Sequence, residues 1–230
     1  MSVERPQAPG RAIRVMPFPS RRFMVGNGPL PSPDAEPSLM GMPQPADRWT
    51  ADLVRSLPDD GQRYELIGGT LVVTPAPVPR HQQVVAALYL LLHEWLRDHA
   101  RLQVLFSPAD IALGEDEILQ PDLFVYHGES GAPLMTWRDI NRLELVIEVA
   151  SPSTAHYDRQ LKRRRYQRGR VPEYWIVDAE TRQVKRWRPG DETPEVLREG
   201  LNWQPEEDGP THELDLGKFF RELMGESEDG

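Results

Sequence analysis

Two acidic residues stand where the sequence otherwise asks for buried strand. In QPDLFV, Asp122 comes just ahead of an apolar run, and in LELVIEVA, Glu148 sits inside one. A charge buried there without a partner is strongly destabilising, so each acid must meet a cation, a proton or a metal ion. Strand alternation puts Asp122 on the face of Phe124, with Leu123 and Val125 opposite. It puts Glu148 with Val146 and Glu144, and Leu145, Ile147 and Val149 on the other side. Pro121 cannot donate to a ladder, which predicts a bulge or strand edge that aims Asp122 out of the sheet. If the two strands are neighbours, the carboxylates converge and repel, and a divalent cation or a shared proton relieves the conflict. On the residues alone, a paired-acid metal site and a structural acid–arginine pair account for the pattern equally well. Glu144 reads as a solvated acid near the strand start.

Further side chains with chemistry flank this pair. Glu65, in Tyr64-Glu65-Leu66, is placed as any half-exposed strand would place it. Ser151 to Thr154 suit a helix N-cap, and Asp158, Lys162 and Tyr166 then fall on one helical stripe. That stripe is either a solvated ion pair or the means of bringing the Lys162 ammonium beside the strand acids. Residues 158–170 hold seven bases against Asp158. Arg159, Arg163 and Tyr166 are the candidate substrate contacts there, while Arg163, Arg164 and Arg165 also suit a solvated face. His81 reads as a capping or hydrogen-bonding residue, and Trp175 and Trp187 as core and strand-surface aromatics.

The elements that must position these groups follow from periodicity. The sequence predicts a short helix from Thr50 to Leu57, then a hairpin in RYELIGGTLVVTP turning at Gly68-Gly69. A long helix follows around residues 81–99, with Val84, Leu88, Leu91, Leu92 and Trp95 at helical spacing. Strands are expected in LQVLF, ADIAL, ILQPDLFVYH, LELVIEVA, EYWIVDA and QVKRWRP, with a helix from about Thr154 to Arg168 and a last short one at 216–223. This order predicts an α/β (α+β) domain on one central mixed sheet. Its expected span is residues 48–224. Residues 1–47 hold ten of the 23 prolines and read as a disordered or loosely docked arm, and 225–230 as an acidic tail.

Composition narrows the chemistry. The chain of 230 residues has no cysteine, which excludes disulfides, thiolate zinc sites and cysteine nucleophiles. A metal would be held by oxygen or imidazole, which favours hard ions such as Mg²⁺ or Mn²⁺. A net charge of −9 argues against a protein that coats nucleic acid by bulk electrostatics. No run suits a membrane span and no secretory signal is evident, so a cytoplasmic protein is expected. The Walker loop, GxGxxG, GxSxG and HExxH motifs are all missing.

YELIGGTLV, the helix opening near His81, QPDLFV, VIEVASPST, the D-x-x-x-K helix start and PEYWIVD occur in this order. Together they resemble the Uma-type restriction endonuclease family, long carried as a domain of unknown function and placed in the PD-(D/E)XK nuclease superfamily. The likeness runs from about Trp49 to Phe220. It implies a restriction-endonuclease-like core and an Mg²⁺-dependent phosphodiesterase site acting on nucleic acid, with DNA the expected substrate. The superfamily's Pro-Asp falls on Pro121-Asp122 and its second acid on Glu148. The lysine expected two residues later is replaced by Ala150, and the family pattern supplies it from the next helix as Lys162. The acid of the opening motif is Glu65, which the likeness makes an additional metal ligand or a group orienting water. Cutting both strands of a duplex needs two sites, which leaves a homodimer open as the assembly. A catalytically silent binding module of the same fold and a two-carboxylate glycosidase remain as rivals.

Overall fold

The computed structural model describes residues 49–58, 60–74, 76–99, 101–114, 117–128, 133–150 and 161–226. The expected arm at 1–47, the helix start at 151–160 and the tail beyond 226 lie outside the described residues.

Thr50 caps α1 (Ala51–Arg55) by accepting the Leu53 N–H, which fixes where the first helix begins. The hairpin of β1 (Arg63–Ile67) and β2 (Thr70–Thr74) follows in the register Ile67↔Thr70. Gly68 and Gly69 both have positive φ, the conformation that a two-residue turn matching strand twist requires. Alternation along β1 puts Arg63, Glu65 and Ile67 on one face, while Tyr64 and Leu66 pack with Val54, Ile118 and Trp49. Pro79 opens α2 (Pro79–Trp95), where its missing N–H costs nothing, and Val84, Leu88 and Leu92 form the helix's buried stripe.

Six strands form the central sheet in the order β3-β4-β5-β6-β7-β8. They are β3 (Leu102–Phe106), β4 (Leu123–His127), β5 (Leu143–Val149), β6 (Glu173–Asp178), β7 (Gln183–Trp187) and β8 (Glu195–Leu197). Every pairing is antiparallel except β5 with β6. A parallel pair needs a crossover, and this one carries Lys162 and α3 (Arg163–Arg168). β5 is buried at all seven positions because both faces of the sheet are covered.

The two faces carry separate cores. Leu123, Val125, Leu145, Ile147 and Val149 pack against α2 and against the terminal unit of β9 (Gly200–Trp203), β10 (His212–Asp215) and α4 (Leu216–Met224). Phe124, Val146, Tyr174 and Ile176 pack against Ile67 and Val72 of the hairpin and Tyr166 of α3. The hairpin is thereby held over the end of β4 and β5, with its Arg63–Glu65 face turned inward.

One expected strand is replaced by a folded loop. ADIAL contributes only the bridge Ile111↔Leu119, and Ile118 pairs instead with Leu66 of the hairpin. Ala109, Ile111, Ile118 and Leu119 are buried, so their hydrophobicity serves packing rather than a ladder. Glu144 also departs from expectation. It is buried, 2.7 Å from His127 Nε2 and 3.1 Å from Arg142, and not a solvated acid.

Candidate active site

The antiparallel register of β4 and β5 brings the two strand acids together. Leu123 pairs with Ile147, so one further step sets Asp122 opposite Glu148. Residues opposed in this way have Cβ atoms about 5 Å apart. The ladder does not continue with backbone alone at that step. The Val149 N–H donates instead to Asp122 Oδ2 at 2.8 Å, so the carboxylate takes the place of a strand carbonyl as its acceptor.

Two further side chains close on Asp122. Arg63 Nη1 donates to Oδ1 at 2.8 Å, and His81 Nε2, from the first turn of α2, lies 2.9 Å from Oδ2. Arg63 Nη2 also donates to the Gln120 carbonyl. Burial pushes the Asp122 pKa up, but the His81 hydrogen bond and the charges of Arg63, His81 and Lys162 outweigh it. The net result holds the carboxyl well below the usual range. Burial likewise works against the charged form of Arg63, and the fields of Asp122, Glu148 and Glu65 override it and raise its pKa.

Lys162 completes the cluster from the crossover. Its ammonium lies 3.0 Å from Glu148 Oε1 and 2.9 Å from Glu65 Oε1, and all three side chains are almost wholly buried. Glu65 Oε1 also accepts the Gln120 N–H at 2.7 Å, which ties the hairpin to the segment carrying Asp122. The structure thus brings together Asp122, Glu148, Glu65 and Lys162, drawn from the ends of β4 and β5, the middle of β1 and one helix start. Ala150, two residues after Glu148, packs against the apolar core of that face, and the ammonium at the acids comes from Lys162 instead.

The expected substrate contacts are placed differently. Tyr166 is wholly buried, with its hydroxyl 3.3 Å from Glu148 Oε1 and its ring tilted against Tyr174. Its position is inside the core because the stripe shared with Lys162 faces the sheet, and it supports Glu148 from behind. Arg163 donates to the carbonyls of Asp191 and Glu192, near 3.3 and 3.1 Å. Arg159 lies outside the described residues. Arg165 pairs with Glu117 at 2.5 Å, and its guanidinium presses on Gly68 so closely that a Cβ there would overlap it.

Arg63 and His81 are the functional neighbours that sequence alone left out. Arg63 shares the face of Glu65 by simple alternation, so the period of β1 was the available signal. His81 reads as a hydrogen-bonding residue in the sequence, but nothing local says that its partner is Asp122, 41 positions away.

Asp122 and Glu148 offer only oxygen donors, the chemistry that a hard divalent ion takes. Among the described residues, no group of three or more His, Asp and Glu side chains is arranged to hold a metal. Mg²⁺ needs fewer, since it is commonly held by one or two carboxylates with waters and substrate phosphate completing its shell. The two acids therefore fit such an ion in donor type.

The comparisons agree with this frame. A solved structure, described as a "putative nuclease belonging to DUF820" from Anabaena variabilis, matches with a TM-score of 0.57 at 18% identity. The match covers 76% of this chain and 99% of that one, and at that identity it concerns the fold. No curated protein matches the chain. The model of the Uma2 family, described as "Putative restriction endonuclease", matches residues 51–217, from α1 into α4 and across every element that contributes to the acid cluster. The chain belongs to the Uma2 family.

Proposed function

We propose that this protein is a metal-dependent nuclease that hydrolyses phosphodiester bonds of nucleic acid, with DNA as its substrate. The observation that carries the reading is the register of Asp122 opposite Glu148, with Lys162 bonded to Glu148 from the adjoining crossover. Family membership and the fold of a described nuclease support it from outside the site.

In this reading Asp122 and Glu148 hold Mg²⁺ or Mn²⁺. When bound, the ion polarises a phosphate oxygen and lowers the pKa of a water. The chain supplies the rest. The Val149 N–H and His81 fix Asp122 Oδ2, so the carboxylate cannot rotate away from the sheet end. Tyr166 steadies Glu148, and Glu65 shares Lys162 with it, which holds the ammonium at the acids. A cation fixed there stabilises negative charge that develops on the phosphate, at little reorganisation cost. Glu65 acts chiefly as the counter-charge of Lys162 and can orient a water from the same position. Arg163 of α3, and Arg159 ahead of it in the sequence, are assigned to phosphate contacts that position without reading sequence.

A second reading, a binding module without turnover, has one observation in its favour. Both Asp122 oxygens are already engaged by protein donors. The test is cleavage of supercoiled plasmid, linear duplex, single-stranded DNA and RNA with Mg²⁺ or Mn²⁺, repeated with EDTA. Cleavage that needs the ion and is abolished by EDTA supports the nuclease and excludes the metal-free glycosidase chemistry. Binding without cleavage on every substrate supports the module.

A further inference from the structure

We infer that Arg63 is an exchangeable counter-ion: its guanidinium occupies the cation position at Asp122, and it must leave Oδ1 for a divalent ion to be held there. The inference rests on the metal-dependent reading above and adds a requirement on a residue that reading does not use.

The local charge balance points to Arg63 rather than to its neighbours. Asp122, Glu148 and Glu65 are buried together, and Arg63 is close enough to all three for their fields to act on it. Lys162 is committed to Glu148 and Glu65 and is almost wholly buried. His81 and the Val149 N–H share Oδ2, which among the described residues leaves Oδ1 to Arg63. An ion that leaves both Oδ2 contacts, from His81 and from the Val149 N–H, in place therefore takes the Arg63 position.

Arg63 is also the member best able to move. Its side chain keeps 19% of its surface exposed, against 11% for His81 and 4% for Asp122, so among the described partners of Asp122 it is the one nearest solvent. It is the first residue of β1, where the hairpin leaves the body of the ladder. Its buried Nε has no hydrogen-bond partner among the described residues, so the docked position leaves one donor unsatisfied. Undocking exchanges that position for solvent or for a substrate phosphate, with which a guanidinium pairs in two-pronged fashion.

A protein that must first undock a side chain shows an affinity reduced by the fraction of time the site is open. Removing the guanidinium therefore tightens apparent Mn²⁺ binding, by roughly tenfold or more if Arg63 is docked about nine-tenths of the time. The test is Mn²⁺ titration by calorimetry of the full chain and of Arg63→Gln, joined to a crystal structure of the unaltered protein loaded with Mn²⁺. The inference predicts tighter binding by the variant and a guanidinium displaced from Asp122 Oδ1 in the loaded structure. Equal or weaker binding by a folded variant overturns it, as does a loaded structure in which Mn²⁺ sits at the acids with Arg63 still on Oδ1. The loaded structure decides the matter should Arg63→Gln fail to fold. If neither protein binds Mn²⁺, the metal-dependent reading itself falls and takes this inference with it, whereas equal binding removes the inference alone.

Discussion

Two clusters of acids and cations lie on the central sheet, and their contrast shows what separates a candidate site from sheet stabilisation. The first gathers Asp122, Glu148 and Glu65 with Arg63, His81 and Lys162. The second joins Glu173, Arg186, Arg188 and Glu195 across β6, β7 and β8, where Arg186 and Glu195 are direct cross-strand partners at 2.7 Å. In the second cluster each contact runs between neighbouring strands of one meander, as ordinary cross-strand pairs do. Arg188 and Glu195 are about half exposed, and Arg186 is finished by the Asn202 carbonyl. The first cluster instead draws on the hairpin, the start of α2, the ends of β4 and β5 and the crossover. Long-range contacts that spend burial on three acids at one point have no explanation in sheet pairing.

The electrostatics diverge in the same way. Cations and hydrogen bonds override burial at Asp122 and lower its pKa, whereas burial prevails at Glu173 and raises its pKa despite Trp175, Arg186 and Arg188. One site is built to hold a carboxylate charged in the interior. The other tolerates a charge that its surroundings disfavour.

The sharpest break between the clusters is expected in catalysis. Asp122→Asn removes the anion and should lower metal-dependent cleavage about a thousandfold, equivalent to ~4 kcal/mol, in single-turnover plasmid nicking. Glu195→Gln, in the other cluster, leaves the cleavage rate unchanged. Next in size is stability. Lys162→Met strands Glu65 and Glu148 as buried acids without their shared cation, and urea unfolding should show a loss of about 3 kcal/mol. A loss under ~1 kcal/mol would mean that other groups neutralise those acids.

The pH dependence separates the clusters by sign. The folded pKa of Asp122 lies below its unfolded value of about 3.9, so its contribution is present above that pH and fades as pH falls toward the folded value. The folded pKa of Glu173 lies above its unfolded value of about 4.3, so its contribution is present below that pH and is lost as pH rises through the folded value. Unfolding measured from pH 2 to 7 should therefore show a shallower acid limb for Asp122→Asn. Glu173→Gln should show a steeper gain of stability as pH rises above about 4.3. The smallest effect is at the surface, where Arg188→Gln costs under about 1 kcal/mol in the same assay, because its pair with Glu195 is screened by water.

Much of this arrangement was legible where the chemistry is local. Alternation in QPDLFV and LELVIEVA sorted Asp122 and Glu148 from the residues of the opposite core, and Gly68-Gly69 announced the hairpin. The spacing of Val84, Leu88 and Leu92 marked α2. What stayed hidden depends on tertiary register. Arg63 reaches Asp122 across 59 positions, and alternation sets it on the face of Glu65 without naming that partner. Glu144 looked solvated because His127 becomes its partner only when β4 and β5 pair, with the irregularity between Val125 and Tyr126, and the neighbouring Arg142 alone would leave it at the surface. The apolar residues of ADIAL suit a strand and a buried loop equally, and the pairing of Ile118 with Leu66 decided for the loop.

The central claim is that the first cluster, and not the second, is where phosphodiester cleavage occurs. Its most direct test is Mn²⁺-supported nicking of supercoiled plasmid by the unaltered protein, Glu148→Gln and Glu173→Gln, each shown to be folded. The account predicts nicking by the unaltered protein and by Glu173→Gln, and none above background by Glu148→Gln. Equal nicking by both variants would contradict it.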